Sequence, residues 1–547
     1  MTMHHQRRKI VTATIALLFA VALLVSACAT PAAPTAPPEG EPTAQPGEPT
    51  AAPEEPMPAP ADEGEPKYGG TLKVAIQADV VGLDPHLEGS YSSMLVIEQV
   101  YETLLQYTPE MEIVPLLADS YEIQDPLTYE FTLHQGVKFH NGREMTSADV
   151  KYSLDRIRDP DGGSPRSQYL TAIDTIETSD DYTVVIHLSE PFAPLLSYLA
   201  SPGFNIVPQE VVEEHGDLVR TMVGTGPFKF VEQIPDTRTV VEKNPDYWQK
   251  GRPYLDGIQF IPMPEDRART DNIVTGNVDY ADQIPQKDID ILQDNPDISL
   301  EGGLSSLHDF LFFNLREAPF DNVKVRQAIA WALDREAMTE TILYGHGQAI
   351  TCGKIWPYSW AYHDCNYYDK QDLDKAQQLL EEAGYADGFS VVLKCGAPYK
   401  AQIDAAQMIK EWLAPLGIEV EVVPVEWSTY LDDITVTYNF EMAIVGWMGM
   451  TDPDEWVYNH YHSDGQWNLW AYSNPRVDEL LEEARTLVTD EERAALYAEV
   501  QEIIAEEAPV AYFFWYEQYE AVANYVQGYE HMPNQTKITF IDTWLDQ

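Results

Sequence analysis

Basic residues are scarce: 34 Lys and Arg stand against 89 Asp and Glu, a formal net charge of −55. Nucleic-acid binding needs a basic face, and so does docking on anionic head groups, so this balance excludes both. Residues 67–547 alone hold 31 basic and 81 acidic side chains, which places the excess on the body as a solvated acidic surface. Cysteine is rarer still, four in 547 residues, at spacings that match no zinc pattern. The G-x-S-x-G, H-E-x-x-H and P-loop signatures are missing, which removes the commonest hydrolase and nucleotide-binding readings. His460 and His462 lie close together without metal-ligand spacing. Neither a metal nor a cofactor is expected. No run reaches the roughly 20 apolar residues of a membrane helix.

The N-terminus shows where the chain works. Arg7, Arg8 and Lys9 precede an apolar run from Ile10 to Leu24 that ends in Val25-Ser26-Ala27-Cys28. A basic start, a short apolar middle and small residues at the exit make a secretory signal. The run L-V-S-A-C resembles the lipobox of bacterial lipoproteins, which implies cleavage after residue 27 and lipidation of Cys28. From 31 to 66 one third of the residues are proline, and Met57 is the only large apolar side chain. Such a stretch buries too little to offset its ordering entropy and is expected to be an extended tether, with the body beginning near Lys67. Cys352 and Cys365 bracket the aromatic loop TCGKIWPYSWAYHDC. In an oxidising compartment they are expected to bond, whereas Cys395 shares strand parity with Val391 and Leu393 and is expected in a core.

The body's 481 residues suffice for two or three domains. Thr71 to Gln77 alternates like a strand and breaks at Gly82-Leu83-Asp84-Pro85. Half-buried strands are predicted around Phe131 and Val185. Between them Thr146 and Asp149 cap a helix with Val150, Leu154 and Ile157 inward. The lone G-x-G of Gly224 to Phe230 leads into Pro227 and a strand, which argues against a dinucleotide site. From about Ser305 helices and strands alternate. A helix carries Val325, Ile329 and Leu333; another starts at Asp372 and stops at Gly384. Strand Phe389–Cys395, helix Gln402–Leu413, strand Ile418–Val425, a short helix after Trp427 and strand Phe440–Gly446 follow. This order implies an α/β architecture with a mostly parallel sheet, whose ligands sit at the carboxyl ends of strands. Those ends are Gly396-Ala397-Pro398, Glu426-Trp427 and Gly446-Trp447-Met448-Gly449-Met450. Two acidic helices (477–487 and 491–505) and an apolar strand from Ala508 to Val522 close the pattern.

Ordered along the body stand GGTLKVAIQADVVGLDPH, LHQGVKFHNGREMTSADVKYSLDRI, GTGPFKF, NPDYW, FFNLREAPFDNVKVRQAIAWALDR, LLEEAGY and GWMGMTDPDEWVYNHYHS. Together these resemble the extracytoplasmic solute-binding proteins of peptide, dipeptide and nickel ABC importers, solute-binding family 5. The resemblance covers residues 67–547. It implies a two-lobed periplasmic-binding-protein clamshell of type II. Lobe I would comprise 67–98, 222–303 and 511–547, an extra small α+β domain 99–221, and lobe II 304–510, with crossings near Leu304–Phe312 and Ala508–Phe514. It implies a monomer, lipid-anchored outside the cytoplasm, that hands its solute to a membrane permease driven by ATPase subunits. The ligand-binding residues expected are Leu83, Asp84, Ser305, His308, Trp427, Gly446, Trp447, Met448, Gly449, Met450, Asp452 and Trp467.

The chain departs from the dipeptide binders at two anchors. Met450 stands where those carry the aspartate for the ligand's ammonium, and no arginine for its carboxylate appears near Gly396 to Lys400. An oligopeptide held by backbone is therefore expected, with an oligosaccharide stacked on Trp447, Trp427, Trp467 or Trp470 as the alternative. An extracellular hydrolase using Asp452, Asp454 and Glu455 is the enzyme-class rival; the simpler role for Asp452-Pro453-Asp454 is to cap a helix beginning near Glu455.

Overall fold

A computed structural model describes residues 65–449 and 452–547. The signal, Cys28, nearly all of the tether, and Met450 lie outside the described residues. Among those described, no helix is long and apolar enough to cross a membrane.

One eleven-stranded sheet runs through the body. At one end Ser390–Gly396 pairs in parallel with both Glu419–Val425 and Met442–Trp447, the β-α-β arrangement expected from the sequence. At the other end Thr71–Ile76 pairs in parallel with Gly257–Pro262 and Tyr280–Ala281. Two long antiparallel strands, Ile298–Phe313 and Val510–Ala523, join the ends. Their register is regular from Ile298↔Ala523 to Leu304↔Glu517, shifts before His308↔Trp515, and shifts again after Asp309. The chain therefore changes lobe at Leu304–His308 and Trp515–Glu517. This moves the second crossing later than the expected Ala508–Phe514, because Ala511, Phe513 and Phe514 pack in the lobe II core. Residues 511–515 thus pair within lobe II rather than lobe I. Gly302, beside the crossing, has φ 137°, and a Cβ there would stand 2.2 Å from the Gln518 carbonyl oxygen; only glycine fits.

Four apolar cores are present among the described residues. Lobe I buries Leu72, Val74, Ile258 and Phe260 against the helix Tyr91–Val100. The small domain closes a four-stranded antiparallel sheet, order Ala118–Asp125, Thr128–Leu133, Thr183–Leu188, Ile173–Asp180, over the helix Ser147–Arg158. That helix buries Val150, Leu154 and Ile157 completely, and the Asp149 carboxylate accepts the Thr146 N–H at 2.9 Å, the cap the sequence called for. Lobe II has a core on each sheet face. Asp372 caps Leu373–Ala383 by accepting the Lys375 N–H at 2.8 Å, and Gly384 ends it at φ 85°. Cys395 is a buried free thiol, and Cys352 is bonded to Cys365.

Candidate functional site

The strand Met442–Trp447 delivers Gly446, Trp447, Met448 and Gly449 to the crossing. Gly446 is glycine for its neighbour's sake: a Cβ would stand 2.4 Å from Asp309 Oδ1 on the spanning strand, and the Tyr516 O–H donates to that carboxylate at 2.9 Å. Burial pushes Asp309 up to about 6. Gly449 lies against Ser306, whose hydroxyl donates to the Gly449 carbonyl at 2.8 Å. Half-buried Trp447 meets Trp456, His460 and Trp467 edge-on, with centroids 5.8, 4.8 and 5.4 Å away. Half-buried Trp427 packs on Tyr399 and Tyr430.

Next to these strand ends lies a small cavity of about 10 Å³, room for one water, between Ser306, His308, Lys354, Trp356, Gly449 and Trp456, among others. The disulfide-closed loop supplies Lys354 and Trp356. Three buried groups here are notable. The His308 Nδ1–H donates to the Ser306 carbonyl at 3.0 Å, which leaves its buried Nε2 an acceptor without a partner among the described residues. Burial holds His308 down to about 3. The Trp356 Nε1–H is likewise buried and unpartnered. Lys354 Nζ donates to His460 Nδ1 at 2.6 Å and lies 5.2 Å from the Trp456 ring centroid. Burial lowers Lys354 well below the usual lysine range, and burial and then Lys354 lower His460. Buried polar atoms without partners are costly, and their gathering beside the strand ends makes this the candidate site.

A larger groove of about 230 Å³, partly open to solvent, separates the small domain from residues 530–542. The buried Glu102 facing it already accepts the Tyr247 O–H at 2.7 Å and the Trp248 Nε1–H at 3.2 Å. We place the site in the smaller cavity, where the parallel strands end and the unpartnered groups collect.

Several expected contacts are committed elsewhere. Leu83 is a lobe I core residue. Asp84 takes a two-pronged contact from Arg156 at 2.9 and 2.6 Å, and also accepts the His86 and Leu218 N–H groups. Burial pushes its carboxyl up, but Arg156 and the Leu218 N–H outweigh that and hold it below the usual range. It pins the small domain to lobe I rather than meeting a solute. Asp452 is consumed in the same way: Arg493 donates to it at 2.9 and 2.7 Å, the Ser197 O–H at 3.3 Å and the Asp454 N–H at 2.9 Å. The Asp454 N–H opens a π-helical turn over Asp454–Tyr458 whose N-cap is Pro453 and carries no side-chain cap, so the cap expected for a helix beginning near Glu455 is not made. Trp470 is 1 % exposed and belongs to the core with Phe310 and Tyr461, so it offers no stacking face. Buried Ser305 accepts the Leu307 N–H at 3.2 Å. His308 and Gly449 line the cavity, and Trp447 and Trp467 flank it. Sequence reasoning missed Lys354, Trp356 and Trp456. A lysine inside an aromatic loop closed by two cysteines was the available signal.

The small domain docks on lobe II beside this cavity. The Ser197 hydroxyl reaches Asp452, the Ala193 N–H donates to the Arg485 carbonyl at 2.9 Å, and the Arg485 guanidinium lies 5.6 Å from the Phe192 ring centroid. Arg485 also grips Asp454 at 2.6 and 3.0 Å. Glu455 faces Tyr169 and Arg166 of the small domain, and burial pushes it up to about 8. These contacts join the small domain to lobe II, while the cavity itself is lined by lobe II residues alone.

Residues 112–468 match the family described as Bacterial extracellular solute-binding proteins, family 5 Middle. The chain belongs to this family. Family 5 members are transport binding proteins and not enzymes, which removes the hydrolase; Asp452 and Asp454 are held in ion pairs with Arg493 and Arg485. Among its relatives is the glutathione-binding protein GsiB of Pectobacterium atrosepticum, 30% identical over 487 residues, covering 87% of this chain and 94% of that one. Among solved structures, the periplasmic binding protein AgaA of A. tumefaciens R10, in complex with agropinic acid, superposes with a TM-score of 0.75 at 31% identity, covering 87% of this chain and 99% of that one. DppA of Helicobacter pylori, in complex with peptide STSA, gives 0.75 at 29%, covering 88% and 99%. The two-lobed family 5 fold is thus the fold of this chain, and its role is that of an extracytoplasmic solute-binding protein of an ABC importer.

Proposed function

We propose that this family 5 protein is a lipid-anchored receptor that captures a short oligopeptide between its lobes and hands it unchanged to its permease. The observation that carries the reading is the cavity beside the crossing strands, where His308 and Trp356 hold buried polar atoms that await partners. A peptide offers alternating amide donors and acceptors, which suit such a wall. The space is closed down to about 10 Å³, room for a single water, so a peptide enters only once this wall opens. The names of GsiB and of the DppA complex support peptide-like ligands. The lipid anchor rests on L-V-S-A-C ending at Cys28 and on the proline-rich tether behind it. The residues in contact with solute are His308, Lys354, Trp356, Gly449 and Trp456, with Trp447, Met448 and Trp467 at the rim.

An oligosaccharide is the second reading, favoured by the aromatic group Trp447, Trp456 and Trp467. The test is native mass spectrometry and thermal melting of a chain beginning at Lys67, with reduced glutathione, di- to pentapeptides and oligosaccharides. Binding to the short peptides, with stabilisation of about 2.7 kcal/mol at a hundredfold excess over Kd, is expected. Binding confined to sugars contradicts the peptide reading.

A further inference from the structure

We propose that the groove between lobe I, the small domain and residues 530–542 is a second binding site, which takes a small alkylammonium ion with its charged head on Glu98. It is separate from the solute cavity and does not rest on the peptide reading.

Sequence and packing both make this groove acidic. The helix Tyr91–Val100 ends here with no basic residue in its last turn, so the partial negative charge of its carbonyl end has no cation beside it. Glu98 in that turn and Glu102 just beyond it both line the groove. At the exposed edge stand Glu530, Asp542 and a single base, Arg252, already paired with Asp542 at 2.6 Å. Glu102 is satisfied by Tyr247 and Trp248. Glu98 is the unmet group. It is 7 % exposed; its Oε1 accepts the Lys537 N–H, and its Oε2 has no hydrogen bond among the described residues. The Lys537 ammonium donates to Glu520 at 2.8 Å and lies 3.6 Å from Asp282, so its charge is answered by other acids. Burial outweighs the Lys537 N–H and ammonium and pushes Glu98 up to about 8. The carboxyl therefore stands protonated at neutral pH and ionises when a cation reaches it.

The space and its walls select the cation. About 230 Å³ holds on the order of ten waters, enough for a stem of several carbons. Leu116, Pro202, Met532, Ile538 and Ile541 give that stem apolar walls. A metal ion asks for three or more ligating side chains, and no such group occurs among the described residues. A buried carboxyl with aliphatic walls matches an ammonium on an aliphatic chain.

Calorimetric titration of the ligand-stripped protein with 1,5-diaminopentane, and with 1,5-pentanediol as its neutral counterpart, tests this. The diamine is expected to bind one to one and the diol at least roughly tenfold more weakly, the worth of a charged hydrogen bond. Titration at pH 7 in two buffers of different ionisation enthalpy counts protons: Glu98 should release a fraction approaching one per site as the ammonium binds. Glu98→Gln keeps an acceptor for the Lys537 N–H and should lose both the preference for the diamine and the proton release. Ile541→Trp, which fills the groove from a half-buried position, should abolish diamine binding and decides the location if Glu98→Gln does not fold. No diamine binding at millimolar concentration, equal affinity for diamine and diol, binding without proton release, or a folded variant that binds the diamine as wild type does overturns the proposal.

Discussion

Replacing Arg493 by methionine isolates the bond that fixes the lobe II edge of the cleft. The side chains of Arg493 and Asp452 are each 2 % exposed. The guanidinium also lies 4.8 Å from the Trp360 ring centroid. Methionine keeps much of the stem and its ring contact, but leaves the Asp452 carboxylate buried with only the Ser197 O–H and the Asp454 N–H. Breaking a buried pair in this way costs roughly 3–5 kcal/mol. In a folding unit the size of lobe II each kcal/mol lowers the melting temperature by about 2–4 °C, so a fall on the order of 10 °C is expected. Scanning calorimetry of a chain beginning at Lys67 reads it, taking the lowest transition because a two-lobed protein need not melt in one step. The control is Arg493→Met with Asp452→Asn, in which neither charge remains and the acceptor for the Asp454 N–H survives. It should recover at least half of the loss, with solute affinity within about threefold of wild type, since Asp452 is spent on structure. A single-variant loss under about 2 °C, or a double variant as unstable as the single, refutes the reasoning.

Three further outcomes follow from the same structure. Cys352→Ser opens the loop that carries Lys354 and Trp356; it should cost about 3 kcal/mol by loop entropy and weaken solute binding in titration, and unchanged affinity would show that the loop holds its shape without the bridge. Trp447→Ala should weaken binding at least roughly tenfold with a cooperative melt retained, and an unaltered Kd removes it from the rim. Glu455 is raised to about 8 against an ordinary carboxyl near 4.5. Its contribution to stability is therefore full below about pH 4.5 and lost as pH rises to about 8, at up to roughly 1.4 kcal/mol per pH unit. His308 and His460, held neutral by burial, act with the opposite sign below about pH 6.5, but equally in both proteins. Glu455→Gln should thus raise the melting temperature more at pH 8 than at pH 5, and a pH-independent difference would contradict the buried carboxylic acid.

The parallel half of lobe II was legible because its strands are short apolar runs alternating with amphipathic helices, the first of which stops at Gly384 just before the strand Ser390–Gly396. The spanning strand Ile298–Phe313 was not legible as one element: it changes core midway, so its burial pattern changes with it, and Gly302-Gly303 interrupts the run. The strand-end segment Gly446 to Gly449 was found by topology alone. Asp84 and Asp452 looked available because nothing local shows their guanidinium partners, which lie 72 and 41 residues further along. Lys354 and Trp356 escaped for the converse reason: a loop without periodicity gives no orientation, and its side chains are aimed by the Cys352–Cys365 bond and by packing on Trp456 and His460. In this chain hydrophobic pattern set the framework, and long-range charge pairing decided which polar residues were left for a solute.

The central claim is that two halves joined by the crossing strands close over a solute at this cavity. Small-angle X-ray scattering of the ligand-stripped chain beginning at Lys67, before and after saturation with a peptide shown by native mass spectrometry to bind, tests it directly. A smaller radius of gyration on binding is expected, with the peptide recovered intact after denaturation. An unchanged radius at full occupancy, or a cleaved peptide, contradicts it.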